Sequence, residues 1–253
     1  MKSIFDGNTN YQLDAIWTFL NDGTKASAPI GLGSKPIELI AYDEAIVYRN
    51  FIQGAGPRAI GVGYPEKGNI AFDANDMRIA LIWQGSFMDA SRHWIGRGQG
   101  FQPPLGDNVL EFAKGPSFLN LDSLTGDWPE TSSKELGYKF LGYHLGEQRR
   151  PTFRYQYNAL MIEDHTQAVK EDGFPTLTRT ITLSGKPGQT DLYYRAATGD
   201  SIEDAGNGWF VIDKNLRIHI TGGEAIIRKD KKDLLISVKL NNGSAKIVQQ
   251  YVW

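Results

Sequence analysis

The feature that most constrains this chain is the rhythm of its apolar residues. From position 36 onward they recur in short runs, many at a spacing of two, and turn chemistry closes each run. IELIAY, AIVYRNFI, AIGVGY, NIAFD and RIALIWQGSF are separated by YDE, GAGPR, PEKG and DAND. Further on come KFLGYHLG, PTFRYQYNALMIEDHTQAV, LTRTITLSG, DLYYRAA, GWFVIDKNLRIHI, EAIIRKDK, DLLISVKL and KIVQQYVW. TRTITL and LRIHI alternate cleanly, and KPGQT, DKN, KDKKD and NNG are residue sets that close hairpins. Alternation in Arg78-Ile79-Ala80-Leu81-Ile82-Trp83 is imperfect, which suits a strand buried on both faces. Pro57, Pro65, Pro103 and Pro104 fall at boundaries, where a missing N–H does a ladder no harm. The pattern predicts an all-β chain: a large antiparallel β-sandwich, supersandwich-like in strand number, with one short N-terminal helix.

That helix is expected in YQLDAIWTFLN, residues 11–21, where Leu13, Ile16, Trp17 and Leu20 stand at helical spacing before an NDG stop. GTKASAPIGLGSKP then reads as a linker, giving residues 1–35 as helix and linker and residues 36–253 as the sandwich. Between Gln99 and Glu135 the period is lost, and a long loop is expected there with Phe101, Phe118 and Trp128 as anchors. No fixed-length repeat recurs, which disfavours a propeller or solenoid.

Charge and composition narrow the function classes. A net charge of −2 and a pI near 6.1 give no field to gather phosphates or anionic lipid, so neither nucleic acid nor membrane is an expected partner. Without cysteine the chain has no disulfide, thiolate metal site, cysteine nucleophile or Cys-x-x-Cys-His haem attachment. MKSIFDGNTN lacks the apolar core of a signal peptide, and no run approaches the ~20 apolar residues of a membrane span. The glycines of GAGPRAIGVG lead into a strand rather than a helix, against a phosphate loop, and no G-x-S-x-G is present.

The phrases AIWTFLNDGTKA, VYRNFIQGAGPRAIGVGYPE, NIAFDANDMRIALIWQGSFMDASRHWIGRGQGFQPPLGDNV and FRYQYNALMIEDHTQ are longer than composition explains. Together they resemble an uncharacterised β-rich region of large exported planctomycete-type bacterial proteins, where it accompanies c-type cytochrome and quinoprotein sugar dehydrogenase modules. The resemblance covers most of residues 13–180 and is most specific in the RNF, FDA and DASRHW phrases. It implies a periplasmic or extracellular, carbohydrate-related setting, with cytochrome or dehydrogenase modules as partners. Residues 11–21 then look like the remnant of a cytochrome module, although the haem attachment motif is missing and no cofactor is expected. The resemblance carries no catalytic residues with it.

The densest chemistry lies in MDASRHW and its flanks. On a loop leaving a sheet, Asp89 would orient the His93 imidazole, Arg92 would steady negative charge, and Trp94 with Arg97 would hold a sugar ring. The bland alternative pairs Asp89 with an arginine, puts Trp94 in the core and lets His93 bond a backbone carbonyl. A second knot is Glu163, Asp164 and His165, where alternation puts Glu163 and His165 on one face and Asp164 on the other. A metal there would need a third ligand such as His93 or His144, and its identity stays unknown. Asp89, Arg92, His93 and Glu163 are therefore the catalytic candidates, and Trp83, Trp94, Arg97, Asp107 and Arg154 the substrate-binding ones. Asp73, Asp89, Asp107, Glu163 and Asp164 form the carboxylate pool for acid–base chemistry on a sugar. Arg49, Arg58, Arg154 and Arg179 are read first as ion-pair partners for residues such as Asp73 or Asp164. The function these readings favour is carbohydrate recognition, with processing left open, at a site built by residues 83–107 and the end of a 153–169 strand. The alternative is a non-catalytic accessory or docking domain.

Overall fold

The structure, a computed structural model, describes residues 37–91, 100–129, 131–186 and 191–253. The helix expected at residues 11–21 lies outside them, and among the described residues no helix reaches seven residues. In chain order the strands are β1 (Glu38–Leu39), β2 (Ile46–Ile52), β3 (Gly56–Gly63), β4 (Gly68–Asp73), β5 (Arg78–Gln84), β6 (Met88–Asp89) and β7 (Asp107–Glu111). They continue as β8 (Phe118–Leu121), β9 (Tyr138–Leu145), β10 (Pro151–Tyr157), β11 (Leu160–Glu171), β12 (Phe174–Gly185) and β13 (Asp191–Thr198). The last are β14 (Ile202–Gly206), β15 (Trp209–Ile212), β16 (Leu216–Thr221), β17 (Glu224–Arg228), β18 (Asp233–Val238) and β19 (Ser244–Val252). The chain divides into two units, Met1–Glu38 with Asp89–Gly100, and Leu39–Met88 with Phe101–Trp253.

The larger unit is all-β, as the pattern predicts. Its sheets run β2-β3-β4-β5-β7, β17-β18-β13-β8 and β14-β15-β16-β19-β12-β11-β10-β9, and the strand pairs within them are antiparallel. One continuous core joins all three: Phe72 of β4 stacks on Phe153 of β10 with ring centroids 4.0 Å apart, and the Tyr138 hydroxyl of β9 accepts the Phe118 N–H of β8 at 3.1 Å. A second cluster of Ile52, Ala71, Leu81, Trp83 and Phe87 fills the other face of the five-stranded sheet. Here the reading of β5 as buried on both faces is met, and the reason for its broken alternation is visible. Phe72 pairs with Ile79 but Ala71 pairs with Leu81, so Ala80 is the extra residue of a bulge. Ile79 and Ile82 therefore face the same core although they are an odd number of residues apart.

Gly63 shows what the second cluster demands of its neighbours. A Cβ there would lie 2.7 Å from the Phe87 ring, which stacks on Trp83 at 5.7 Å, so only a glycine lets that ring reach its place.

Two expectations about length need correction. PTFRYQYNALMIEDHTQAV is not one strand: Asn158 adopts φ 51° and the chain reverses, so that Tyr157 pairs with Leu160 across a two-residue turn. The turn holds Asn-Ala in place of the Asn-Gly that would have announced it. The loop expected between Gln99 and Glu135 likewise contains β7 and β8. β7 is a polar edge strand and β8 has only four residues, so neither shows a periodic signal. Phe118 and Trp128 do anchor the segment, Trp128 donating its indole N–H to the Pro116 carbonyl at 3.1 Å.

The sheets are also riveted by buried polar groups. Arg179 of β12 forms a two-pronged pair with Asp164 of β11, Nε to Oδ1 at 2.9 Å and Nη2 to Oδ2 at 2.5 Å. Arg179 Nη1 donates to the Tyr194 hydroxyl at 3.0 Å, and that hydroxyl donates to Gln249 Oε1. Gln249 Nε2 in turn donates to the Ala196 carbonyl at 3.1 Å. The expectation that Asp164 is the ion-pair partner of a strand arginine is met at Arg179.

Replacing Asp164 by Ala leaves the buried guanidinium without its counter-charge and is expected to cost about 3–5 kcal/mol, measured by urea unfolding. Joint replacement of Asp164 by Leu and Arg179 by Met should cost less than the single change. A larger loss in the double variant would show that the pair stabilises the fold outright.

Candidate functional site

An open concavity is built on a tight turn. β2 ends at Ile52, β3 begins at Gly56, and Gln53, Gly54 and Ala55 reverse the chain between them. Gly54 has φ +82°, and a Cβ on it would lie 2.9 Å from Leu81 Cδ2 and 3.0 Å from Glu111 Oε2. A side chain at that position would displace the carboxylate that ends β7.

Asp73 closes β4 and accepts the Asn75 N–H at 2.9 Å on Oδ1. Asp76, in the following turn, accepts the Gly115 N–H at 3.1 Å and the Ser133 hydroxyl at 3.0 Å. Arg78 opens β5 between them, its Nη2 3.7 Å from Asp73 Oδ2 and its Nε 3.8 Å from Asp76 Oδ2, while Nη1 donates to the Phe112 carbonyl at 2.9 Å. Burial pushes the Asp73 carboxyl above its ordinary value, and this outweighs the opposing pull of the Asn75 N–H and of Arg78.

Phe101 brings the apolar surface. Its neighbour Gln102 is 1% exposed: its N–H donates to the Phe51 carbonyl and its carbonyl accepts the Gln53 N–H, both at 2.9 Å. Gln102 Oε1 also accepts from Asn50 Nδ2 at 3.0 Å. The chain is thus pinned to β2 while the Phe101 ring stays 49% exposed, edge-on to Phe51 with centroids 5.9 Å apart. Gln53, Asp73, Asn75, Arg78, Phe101 and Glu111 line an open cleft of about 740 Å³. Sequence reading placed Asp73 in the carboxylate pool but took Phe101 for an anchor and passed over Asp76, Arg78 and Glu111. The signal was the two-glycine GAGP turn beside DAND.

The residues singled out by sequence fall elsewhere. Asp89 has both carboxylate oxygens engaged within its own unit: Oδ1 accepts the N–H groups of Ile37 at 2.9 Å and Ser91 at 2.8 Å, and Oδ2 accepts the Ser91 hydroxyl at 2.8 Å. It fastens the local turn through backbone N–H groups and the Ser91 hydroxyl. Trp83 is 0% exposed, donates its indole N–H to the Ser86 carbonyl at 3.0 Å and stacks on Phe87, so it is a core side chain and no sugar platform. Asp107 stands exposed at the start of β7. Arg92, His93, Trp94 and Arg97 lie outside the described residues.

The hairpin turn brings Glu163 and Arg154 together as cross-strand partners, Nε to Oε1 at 3.4 Å. Both are close to half exposed, so the pair is worth ~0–1 kcal/mol and lies on the outer face of the sheet. His165 stands on that face too, as alternation requires, its Nδ1 3.1 Å from the Pro151 carbonyl and 3.3 Å from Thr152 Oγ1. His144 pairs with Thr152 from the other side, which leaves the two imidazoles two strands, ~10 Å, apart. Among the described residues no group of three or more histidine and carboxylate side chains has the arrangement to hold a metal ion. His165 also reaches a second cleft, of about 470 Å³, with Glu66, Arg150 and Gln167. Glu66 is tied to Arg150 at 2.5 Å there, and its other oxygen is buried without a hydrogen bond.

The Asp73 carboxyl is expected to titrate above 3.8 when followed by carbon NMR. Because the folded chain keeps this proton to higher pH than the unfolded chain, the associated stability is fully present below 3.8 and is lost as pH rises through the native midpoint. Asp73→Asn should remove that part of the pH dependence in denaturant unfolding. A midpoint at or below 3.8 would contradict the assignment.

No protein-family model matches the sequence, and no curated protein matches it, so the functional reading rests on the chemistry of the cleft itself.

Proposed function

We propose that this chain recognises a neutral carbohydrate in the cleft beneath Phe101. The observation that carries the reading is the pairing of a half-exposed aromatic ring with convergent hydrogen-bonding groups in one concavity of about 740 Å³. A pyranose offers an apolar C–H face that packs on a ring and a rim of hydroxyls that bond carboxylates and amides. Phe101 supplies the first surface; Gln53, Asn75, Asp73 and Glu111 supply the second. Three carboxylates, Asp73, Asp76 and Glu111, against two cations, Arg78 and Lys114, disfavour an acidic sugar.

The cleft also offers a carboxylate pair for acid–base work. Asp73, held protonated to higher pH by burial, is the group suited to donate a proton, and Glu111 is the acceptor. Processing as well as binding therefore falls to these two residues.

Calorimetric titration with neutral mono- and oligosaccharides, with and without chelator, tests the reading. A bound sugar is expected, and Phe101→Ala should weaken it by about tenfold or more, which is ~1.4 kcal/mol, while leaving the fold intact. Asp73→Asn and Glu111→Gln should abolish any turnover of the bound sugar while retaining measurable binding. Absence of binding across the set, or affinity unchanged in Phe101→Ala, refutes the assignment.

A further inference from the structure

We propose that the crevice lined by Arg78, Arg179 and Arg195 is a binding site for one small oxyanion, of the class of inorganic phosphate or a carboxylate. The three guanidinium groups come from β5, β12 and β13 and line a narrow space of about 40 Å³ together with Ser117, Thr198 and Tyr251. A water needs ~10–15 Å³ of such space, so the crevice takes about three waters or one compact anion.

The argument lies in how the three charges are balanced. Arg179 is neutralised by its two-pronged pair with Asp164. Arg78 is buried, stands 3.7 and 3.8 Å from its two carboxylates, and keeps its Nε without a hydrogen-bond partner. Arg195 has no ion pair among the described residues; it donates to the Lys114 carbonyl and lies over the Trp128 ring, 4.7 Å from its centroid. Burial lowers the Arg195 guanidinium to about 10, outweighing the opposing pull of the Asp233 and Asp76 carboxylates. Buried cations are ordinarily paired, and guanidinium forks match the oxygens of phosphate and carboxylate. An anion in the crevice would meet the unpartnered Nε of Arg78 and the Arg195 guanidinium, which has no ion pair among the described residues, at once. Ser117 and Thr198 line the same wall. Arg78 also lines the larger cleft, but the two concavities differ in charge, and the anion site stands whether or not a sugar binds its neighbour.

The test uses the full chain at constant ionic strength, titrated by calorimetry and melted in phosphate, in acetate and in chloride alone. One-to-one saturable binding of phosphate or acetate is expected, with the melting temperature raised on the order of 5 °C at a hundredfold excess over the dissociation constant. Response to phosphate alone identifies a phosphate site, and response to acetate alone a carboxylate site. Arg195→Gln should abolish the saturable response, and Arg195→Lys should weaken it about tenfold or more. A response that does not saturate in either anion, or one unchanged in Arg195→Gln, overturns the proposal. If Arg195→Gln does not fold, the wild-type titration and Arg195→Lys decide it.

Discussion

The buried pair of Arg179 and Asp164 is the interaction on which the larger unit turns. Both residues belong to the eight-stranded sheet, where the Tyr155 hydroxyl also donates to Asp164, and the network crosses to the four-stranded sheet through Tyr194 and, beyond it, Gln249 and the Ala196 carbonyl. The eight-stranded and four-stranded sheets are therefore fixed in register by directional bonds as well as by apolar contact. Hydrophobic packing tolerates sliding; a chain of charge-assisted hydrogen bonds in a dry interior does not. Tyr64 repeats the device for the five-stranded sheet, donating to the Thr166 carbonyl at 2.6 Å. Burial holds that phenol far above its ordinary range, which keeps it a donor.

This fixity is what allows a cleft to form at the margin of the five-stranded sheet. Glu111, Asp73 and Arg78 sit at strand ends, where a side chain keeps the precision of the ladder but leaves the sheet. The Gly54 turn opens the space, and its missing side chain seats the Glu111 carboxylate. The tyrosines, so abundant in composition, take little part. Tyr64, Tyr138, Tyr155, Tyr157, Tyr193, Tyr194 and Tyr251 are buried, and several spend their hydroxyls binding one sheet to another.

The architecture was legible because burial on a pleated surface writes itself into the chain at a spacing of two. β12 and β16 were plain for this reason, and the Asp213-Lys214 and Asn242-Gly243 turns carry the positive φ values that their residues announce. Where the two rules conflict, the sequence misleads. The Asn158-Ala159 turn lacks glycine, and an unbroken apolar run across it read as one strand. The site was harder to see for a related reason. Density of reactive side chains drew attention to MDASRHW, but Asp89 spends its oxygens on backbone and Ser91. The cleft assembles Gln53, Asp73, Phe101 and Glu111 from four separate segments, and no local window contains that convergence.

The pinning of Gln102 to β2 has a consequence for kinetics. Because both of its backbone groups are committed to the strand, the aromatic rim moves with the sheet and does not act as a lid. A guest of the proposed kind would meet a ring already in its working orientation and surrender little conformational entropy on arrival. Such a mouth would select by shape at the moment of encounter.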